Sequence, residues 1–223
     1  NTLKKAKKIK VISYEEMLEM ASLGAKVMQP ISIQDARINR IDINVKSSFV
    51  KKKGSLITKR KNIIRNKVIT GITSTRNDAK VTLIGVKDRP GVAASIFKPL
   101  YENSINVDMV VQNVSEGGRE TDLTFTIKLE DLIKTKRLVE NNKHIKFRKL
   151  IVNKNVSKVS IVGVGMVTTP GITYRMFRAL AKKKINIEVI STSEIKISVL
   201  IDKKNLKKSV EILHQEFKLN NSL

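Results

Sequence analysis

The stretch GVKDRPGVAASIF, residues 85–97, changes from a strand pattern to a helix pattern at a Pro-Gly pair. A second stretch, GVGMVTTPGITYRMF at residues 163–177, repeats the same plan. When Pro90 is aligned with Pro170, Phe97 falls on Phe177, and the INVD that follows the first helix falls on INIE in the second copy. Such long self-similarity indicates that the chain contains two copies of one structural unit.

Hydrophobic periodicity predicts the order of elements around each Pro-Gly pair, which we call a corner. In the first copy, INVDMVVQNV and TDLTFTIK alternate with period two, as strands do, and SEGGRE (115–120) supplies a turn between them. An amphipathic helix and a last strand follow, which gives the order βαββαβ of a ferredoxin-like unit. The second copy has the same order but lacks the fourth strand. The expected fold class is α+β, with two ferredoxin-like modules.

The segment KVITGITST, residues 67–75, is a candidate for the lacking strand. We expect it to complete the sheet of the second module, so that the two modules are interleaved and neither folds alone. The alternative is an edge strand of the first sheet. The predicted parts of the chain are residues 1–62, a linker with the completing strand at 63–79, the first module at 80–153 and the second module at 154–223.

Composition limits the function classes. The absence of Cys excludes disulfides and Cys-ligated metal sites and suits a reducing cytoplasm. No apolar run approaches the roughly 20 residues that span a bilayer, so no membrane partner is expected. The net charge of +24 raises the alternative of a basic nucleic-acid-binding regulator. However, lysine occurs in every segment without interleaved stacking aromatics, and there is no Trp, so we predict solvated surfaces and no nucleic-acid partner.

The Pro-Gly corner suggests a site for a small anion. Pro90 suits the first helical position, and Gly91 lets a ligand approach the backbone amides of the first turn. Asp88 precedes the corner and Asn106 follows the helix. Backbone amides would bind the carboxylate of an α-amino acid, and a side-chain carboxylate and carbonyls would bind its ammonium group. The alternative is that Pro-Gly only starts the helix and Asp88 caps it.

Several stretches resemble the tandem ACT modules of bacterial aspartokinases. They are DRPGVAASIF (88–97), INVDMVVQNVS (105–115), TDLTFT (121–126) and INIEVISTSEIKISVLID (185–202), in which STSEIKIS is close to diagnostic. Residues 12–30, ISYEEMLEMASLGAKVMQP, resemble the end of that enzyme's α/β amino-acid-kinase domain, so residues 1–62 are expected to be a remnant of it. The resemblance implies a cytoplasmic enzyme that phosphorylates L-aspartate with ATP to 4-phospho-L-aspartate, in the first step toward lysine, threonine and methionine. It also implies feedback inhibition by lysine and/or threonine bound at ACT interfaces.

The resemblance also exposes a gap. The family's Lys-Phe-Gly-Gly phosphate-binding motif, its Arg-Gly-Gly-Ser segment and its Thr-Asp-Pro-Arg nucleotide segment are absent from this sequence. We therefore expect that this chain is a C-terminal part with no catalytic residue and no metal ligand, and that it has no kinase activity alone. ATP with Mg would be the cofactor only of the complete enzyme. The implied partner is a second copy in a homodimer through the ACT modules, or a catalytic subunit. The alternative is a free-standing ACT amino-acid sensor or a regulatory subunit without kinase activity.

The resemblance carries over site residues position by position. Lys26 and Val27 match a stretch that contacts ATP in the family. The alternative is that Lys26 only ends a helix. The first-module matches to effector contacts are Asp88, Arg89, Pro90, Gly91, Val92, Ala93, Asn106, Val107, Asp108 and Gln112. The second-module matches are Ile172, Thr173, Asn186, Ile187, Ser193 and Glu194. The loop GVGMVTTPG is two residues longer than GVKDRPG and lacks its acid, so the two sites should differ. In the family, both modules contribute to a ligand site, from two chains of a dimer.

Overall fold

A computed structural model describes residue 3 and residues 6–63, 67–114 and 120–220. The N-terminal part contains β1 (Val11–Ser13), α1 (Tyr14–Ser22), α2 (Pro30–Ile38), β2 (Ile43–Val45) and β3 (Ser55–Thr58). Its sheet has the order β1-β3-β2, with β1 parallel and β2 antiparallel to β3. The two helices pack on this sheet through a small core that contains Tyr14, Ile33 and Ile57.

The start of α1 follows from a capping box. The hydroxyl of Ser13 accepts a hydrogen bond from the amide of Glu16 at 3.2 Å, and the carboxylate of Glu16 accepts one from the amide of Ser13 at 3.3 Å. These two bonds satisfy amides that have no partner within the helix. The helix ends at Ser22, and Gly24 turns the chain with a φ of +99°.

The larger sheet contains both copies of the repeat. Its elements are β4 (Gly71–Lys87), α3 (Val92–Glu102), β5 (Val107–Val114), β6 (Glu120–Lys128), α4 (Leu132–Glu140), β7 (Lys149–Val162), α5 (Ile172–Ala181), β8 (Val189–Thr192), β9 (Lys196–Asp202) and α6 (Leu206–Glu216). The strand order is β5-β6-β4-β7-β9-β8. Short 3-10 helices precede α4, α5 and α6. Most of the turn predicted at residues 115–120 lies outside the described residues.

The register of β4 confirms the predicted interleaving. Its first residues, Gly71–Thr75, pair with the last part of β7, and β7 pairs on its other side with β9. The start of β4 therefore completes the second module's sheet. The alternative of an edge strand is wrong, because β4 lies between β6 and β7 in the middle of the sheet.

Two expectations about β4 and β7 need correction. The strand predicted from Lys67 begins at Gly71, and it continues into the first module as one strand of 17 residues. An irregularity between Thr75 and Lys80 marks the passage between modules, because a bulge bends a strand without ending it. Likewise, β7 serves both modules over 14 residues. The module boundaries predicted at 79/80 and 153/154 fall inside these strands and remain predictions.

Each module has its own hydrophobic core beneath its own pair of helices. The first core contains Leu83, Ile96, Leu100, Phe125 and Val139, and the second contains Ile161, Met176, Leu180, Val199 and Leu213. A smaller cluster on the other face joins Met109 of β5 and Val189 of β8. The two edge strands therefore approach each other on the side opposite the helices. None of the helices in the described residues is long and apolar enough to cross a membrane.

Candidate functional site

The first Pro-Gly corner is a type II turn that leads into α3. The amide of Val92 donates to the carbonyl of Arg89 at 3.1 Å, and Gly91 has φ +85° and ψ −3°. These angles are those of the third residue of a type II turn, and Pro suits the second. Gly91 is the N-cap of α3. The prediction that Pro90 occupies the first helical position is therefore wrong, because Pro90 sets the turn that precedes the helix.

The second corner has the same local geometry. Gly171 is the N-cap of α5, with φ +83° and ψ 1°. A methyl group added to Gly91 or Gly171 would meet no atom within 4 Å, so the positive φ and not crowding explains glycine at both positions. The same open space lets a ligand approach the backbone at both glycines.

Asp88 does not cap the helix. The side chain is half-buried, and within the described residues α3 has no side-chain hydrogen bond at its N-cap. The alternative interpretation of Asp88 as a helix cap is therefore wrong. Beside it, the guanidinium of Arg89 donates to the carbonyl of His144 at 3.4 Å.

The predicted effector residues of the first module fall into two groups. Val107 pairs with Ile127, which pairs with Ala79, whereas the corner follows Lys87 at the other end of β4. The strand from Ala79 to Lys87 separates these ends by roughly 26 Å, at about 3.3 Å per residue. Within one module, Asn106, Val107 and Asp108 are thus far from the group Asp88, Arg89, Pro90, Gly91, Val92 and Ala93. Gln112 lies nearer the corner, since its partner Leu123 also pairs with Leu83.

The predicted effector residues of the second module also fall into two groups, with one difference. Asn186 and Ile187 precede β8, at the end of that strand away from the second corner. Ser193 and Glu194 form the turn after β8, and the amide of Gly163 donates to the carbonyl of Ile195 at 2.9 Å. This bond places the turn beside the start of the loop that ends at the second corner, where Ile172 and Thr173 begin α5.

Two reciprocal ion pairs connect the two modules. Asp108 of the first module pairs with Lys158 on β7, and Glu188 of the second module pairs with Lys80 on β4. The amide group of Asn153 also donates to Glu188, at 3.3 Å. Lys80 and Lys158 occupy matching positions in the repeat, as do Asp108 and Glu188. The sequence analysis did not predict these pairs, although the Lys-Val that begins each copy indicates that the two lysines are equivalent.

Comparison with known proteins identifies the repeated unit. Residues 81–142 and 159–217 match the family model of the ACT domain. The chain is 44% identical over 217 residues to the aspartate kinase of Pseudomonas fluorescens strain SBW25, a match that covers 96% of this chain and 52% of that relative. It is 37% identical to the ligand-free regulatory subunit of aspartate kinase from Thermus thermophilus, covering 68% of this chain and 99% of that one with a TM-score of 0.64.

The chain belongs to the aspartokinase family. Its two interleaved modules are the ACT domains of that family. The aspartate kinase of Clostridium acetobutylicum shares the fold over 97% of this chain and 50% of its own length, with a TM-score of 0.87 at 24% identity. The chain spans about half the length of the curated relatives it matches.

The segment that resembles the aspartokinase kinase domain docks on the second ACT module through α1. The carboxylate of Glu16 accepts a hydrogen bond from the amide of Val164 at 3.2 Å and another from the hydroxyl of Thr70. Glu19 forms an ion pair with Lys196 at 3.1 Å. Sequence reasoning assigned Glu16 only to the capping box, because nothing local indicates that its second oxygen reaches another module.

Lys26 and Val27 lie in an exposed turn between α1 and α2. The alternative that Lys26 ends the helix is wrong, since α1 ends at Ser22. The contact with ATP that aspartokinases imply at this turn remains a prediction. Within the part of the chain that the structure describes, no group of three or more His, Cys, Asp or Glu side chains could hold a metal ion.

Proposed function

We propose that this chain is the allosteric, amino-acid-sensing C-terminal part of an aspartate kinase. The observation that carries the proposal is the pair of open Pro-Gly corners in two ACT domains that are joined to a kinase-like segment. The complete enzyme would phosphorylate L-aspartate with ATP and Mg to 4-phospho-L-aspartate in the cytoplasm. Residues 1–62 would be the remnant of its kinase domain, followed by a linker strand at 63–79 and the ACT modules at 80–153 and 154–223.

The effector site would form between two chains. In one chain, the first corner and the INVD stretch (105–108) lie at opposite ends of their module, so neither group surrounds a ligand by itself. A homodimer through the ACT domains would bring complementary groups together. First-turn amides of α3 would take the carboxylate of lysine or threonine, and Asp88 would take the ammonium group.

The chain alone would not transfer phosphate. Lys26 and Val27 would contribute to ATP binding, but the Lys-Phe-Gly-Gly motif that holds the transferring phosphate in the family is absent from this sequence. The second candidate is a regulatory subunit that assembles with a catalytic subunit. It is supported by the similarity to the Thermus thermophilus regulatory subunit, nearly all of which this chain covers.

Calorimetry of the chain with lysine, threonine and methionine, singly and in pairs, tests the proposal. We expect saturable binding of lysine or threonine, and none of simple carboxylic acids such as hexanoate, which carry no ammonium group. Failure of all three amino acids to bind would refute amino-acid sensing. Strong, salt-dependent DNA affinity in a parallel titration would instead favour the nucleic-acid-binding alternative.

A further inference from the structure

Glu16 has a buried carboxylate that bonds to three separate segments. The residue is 1% exposed. One oxygen accepts from the amide and the hydroxyl of Ser13, at 3.3 and 3.1 Å. The other accepts from the amide of Val164 at 3.2 Å and from the hydroxyl of Thr70. A capping box requires only the first oxygen, so the second oxygen has a different role.

The contacts of α1 lie at the start of the loop that ends at the second corner and beside the turn that contains Ser193 and Glu194. Val164 begins the 3-10 helix Val164–Thr168, which leads to that corner. Lys196, which pairs with Glu19, follows the turn that contains Ser193 and Glu194. A single helix therefore bonds to both segments next to the predicted effector residues of the second module.

The same helix leads to the predicted nucleotide-binding turn. It has nine residues, or about 13 Å at 1.5 Å per residue, and the turn at Lys26 and Val27 follows it. Helices move as rigid elements, so a shift imposed at its first turn is transmitted to its last.

Within the described residues, the first module has no such connection at the matching position. Val86, which matches Val164, lies within β4 and pairs with Thr121 of β6 in the same module, and the neighbouring amide of Gly85 donates to Asp122 at 2.9 Å. The side chain of Arg148 covers Gly85, and a Cβ there would lie 2.2 Å from its Nε. The two corners thus share a turn type but differ in what they contact.

We propose that Glu16 is a positioning residue that couples the second ACT corner to the nucleotide-binding turn. An amino acid that binds beside Ser193 changes the position of Val164–Thr168, and Glu16 transmits the change to α1 and to Lys26. The inference rests on the proposed function. Because such coupling is reciprocal, ATP bound at the turn also changes the affinity of the second corner for its effector.

Hydrogen exchange of the whole chain, with and without saturating lysine or threonine, tests this assignment. In the wild type, the amino acid should change exchange in α1 and at residues 24–27 by about five-fold or more, the lower end of typical allosteric coupling. Glu16→Gln keeps the side-chain shape but removes the charge, and it should abolish the change. The control Asp122→Asn removes an acid of the first module that accepts from the amide of Gly85, and it should leave the change intact.

Two further measurements separate coupling from mere structural support. Ser193→Phe, which fills the second corner, should also abolish the change at α1; a change that survives it comes from elsewhere and overturns the assignment. Should Glu16→Gln fail to fold, Thr70→Val replaces it, because it removes one donor to Glu16 and leaves the capping box. Binding without an exchange change at α1, or a full change in Glu16→Gln, overturns this inference alone. No binding of either amino acid overturns the proposed function and the inference with it.

Discussion

The ion pair between Asp108 and Lys158 predicts an unequal response to removing either charge. The side chain of Lys158 is 7% exposed, whereas that of Asp108 is 50% exposed. Asp108→Asn leaves a buried ammonium group facing a neutral amide. Breaking a fully buried pair costs about 3–5 kcal/mol. Since water still reaches the Asp108 side, we expect a loss of about 1–3 kcal/mol in the free energy of unfolding.

Lys158→Met should cost less than Asp108→Asn. Methionine has an unbranched chain close in length to the apolar stem of lysine, and the carboxylate that remains at Asp108 is solvated. We expect a loss of about 0–1 kcal/mol, typical of an exposed charge or a volume-conserving change. Urea denaturation of the two variants and of the double variant measures these differences, provided that the slopes with denaturant agree.

The second ion pair is the internal comparison. Lys80 and Glu188 are equally exposed, at 20% each, so Lys80→Met and Glu188→Gln should differ less from each other than the variants of the first pair do. The double variant of Asp108 and Lys158 should be close to Lys158→Met alone, because no unpaired buried charge is left. Equal costs for Asp108→Asn and Lys158→Met, or a larger cost for Lys158→Met, would refute the reasoning.

Four other expectations can be checked with the same chain. Asp88→Asn should weaken effector binding by about ten-fold, or 1.4 kcal/mol, in calorimetry at unchanged stability; unchanged affinity would remove Asp88 from the site. The purified chain should form no aspartyl phosphate from ATP and aspartate, and measurable product would contradict the proposed role. A chain that starts at residue 80 should lose hydrogen-exchange protection in β9, whereas retained protection would show that Gly71–Thr75 is dispensable. Burial lowers the pKa of His214 from 6.5, so stability should be complete above that pH and decline below it, and His214→Gln should flatten this decline in pH-dependent melts.

Local signals in the sequence were sufficient for the elements and for much of the corner. Ser13 and Glu16 predicted the start of α1, and the alternating strands and Pro-Gly pairs predicted two ferredoxin-like modules. There is open space beside Gly91, and the ligand site expected at this corner stays a prediction. These features depend on residues within a few positions of one another, which is the range that periodicity and turn chemistry describe.

Features that depend on distant pairing were not predictable in the same way. Residues 76–78, RND, are polar and read as a break, yet they lie within β4. Of the three, only Asp78 pairs, with Lys128 of β6 and Val156 of β7, and the regular pairing on both sides of this irregularity carries β4 from one module to the other despite their weak strand propensity. The placement of Asn106 far from its own corner follows from strand register, which a linear pattern does not contain.

The length difference between the two corner loops has a structural consequence that the sequence only hinted at. In the first copy, KDRPG passes directly from β4 into the turn. In the second, the two extra residues accompany the 3-10 helix Val164–Thr168, and the first amide of that helix is the donor to Glu16. The insertion therefore does more than lengthen a loop, because it accompanies a 3-10 helix whose first amide bonds to the kinase-like segment. Duplicated corners on one shared sheet can in this way differ in their surroundings, because only the loop of the second corner bonds, within the described residues, to the helix that precedes the turn at Lys26 and Val27.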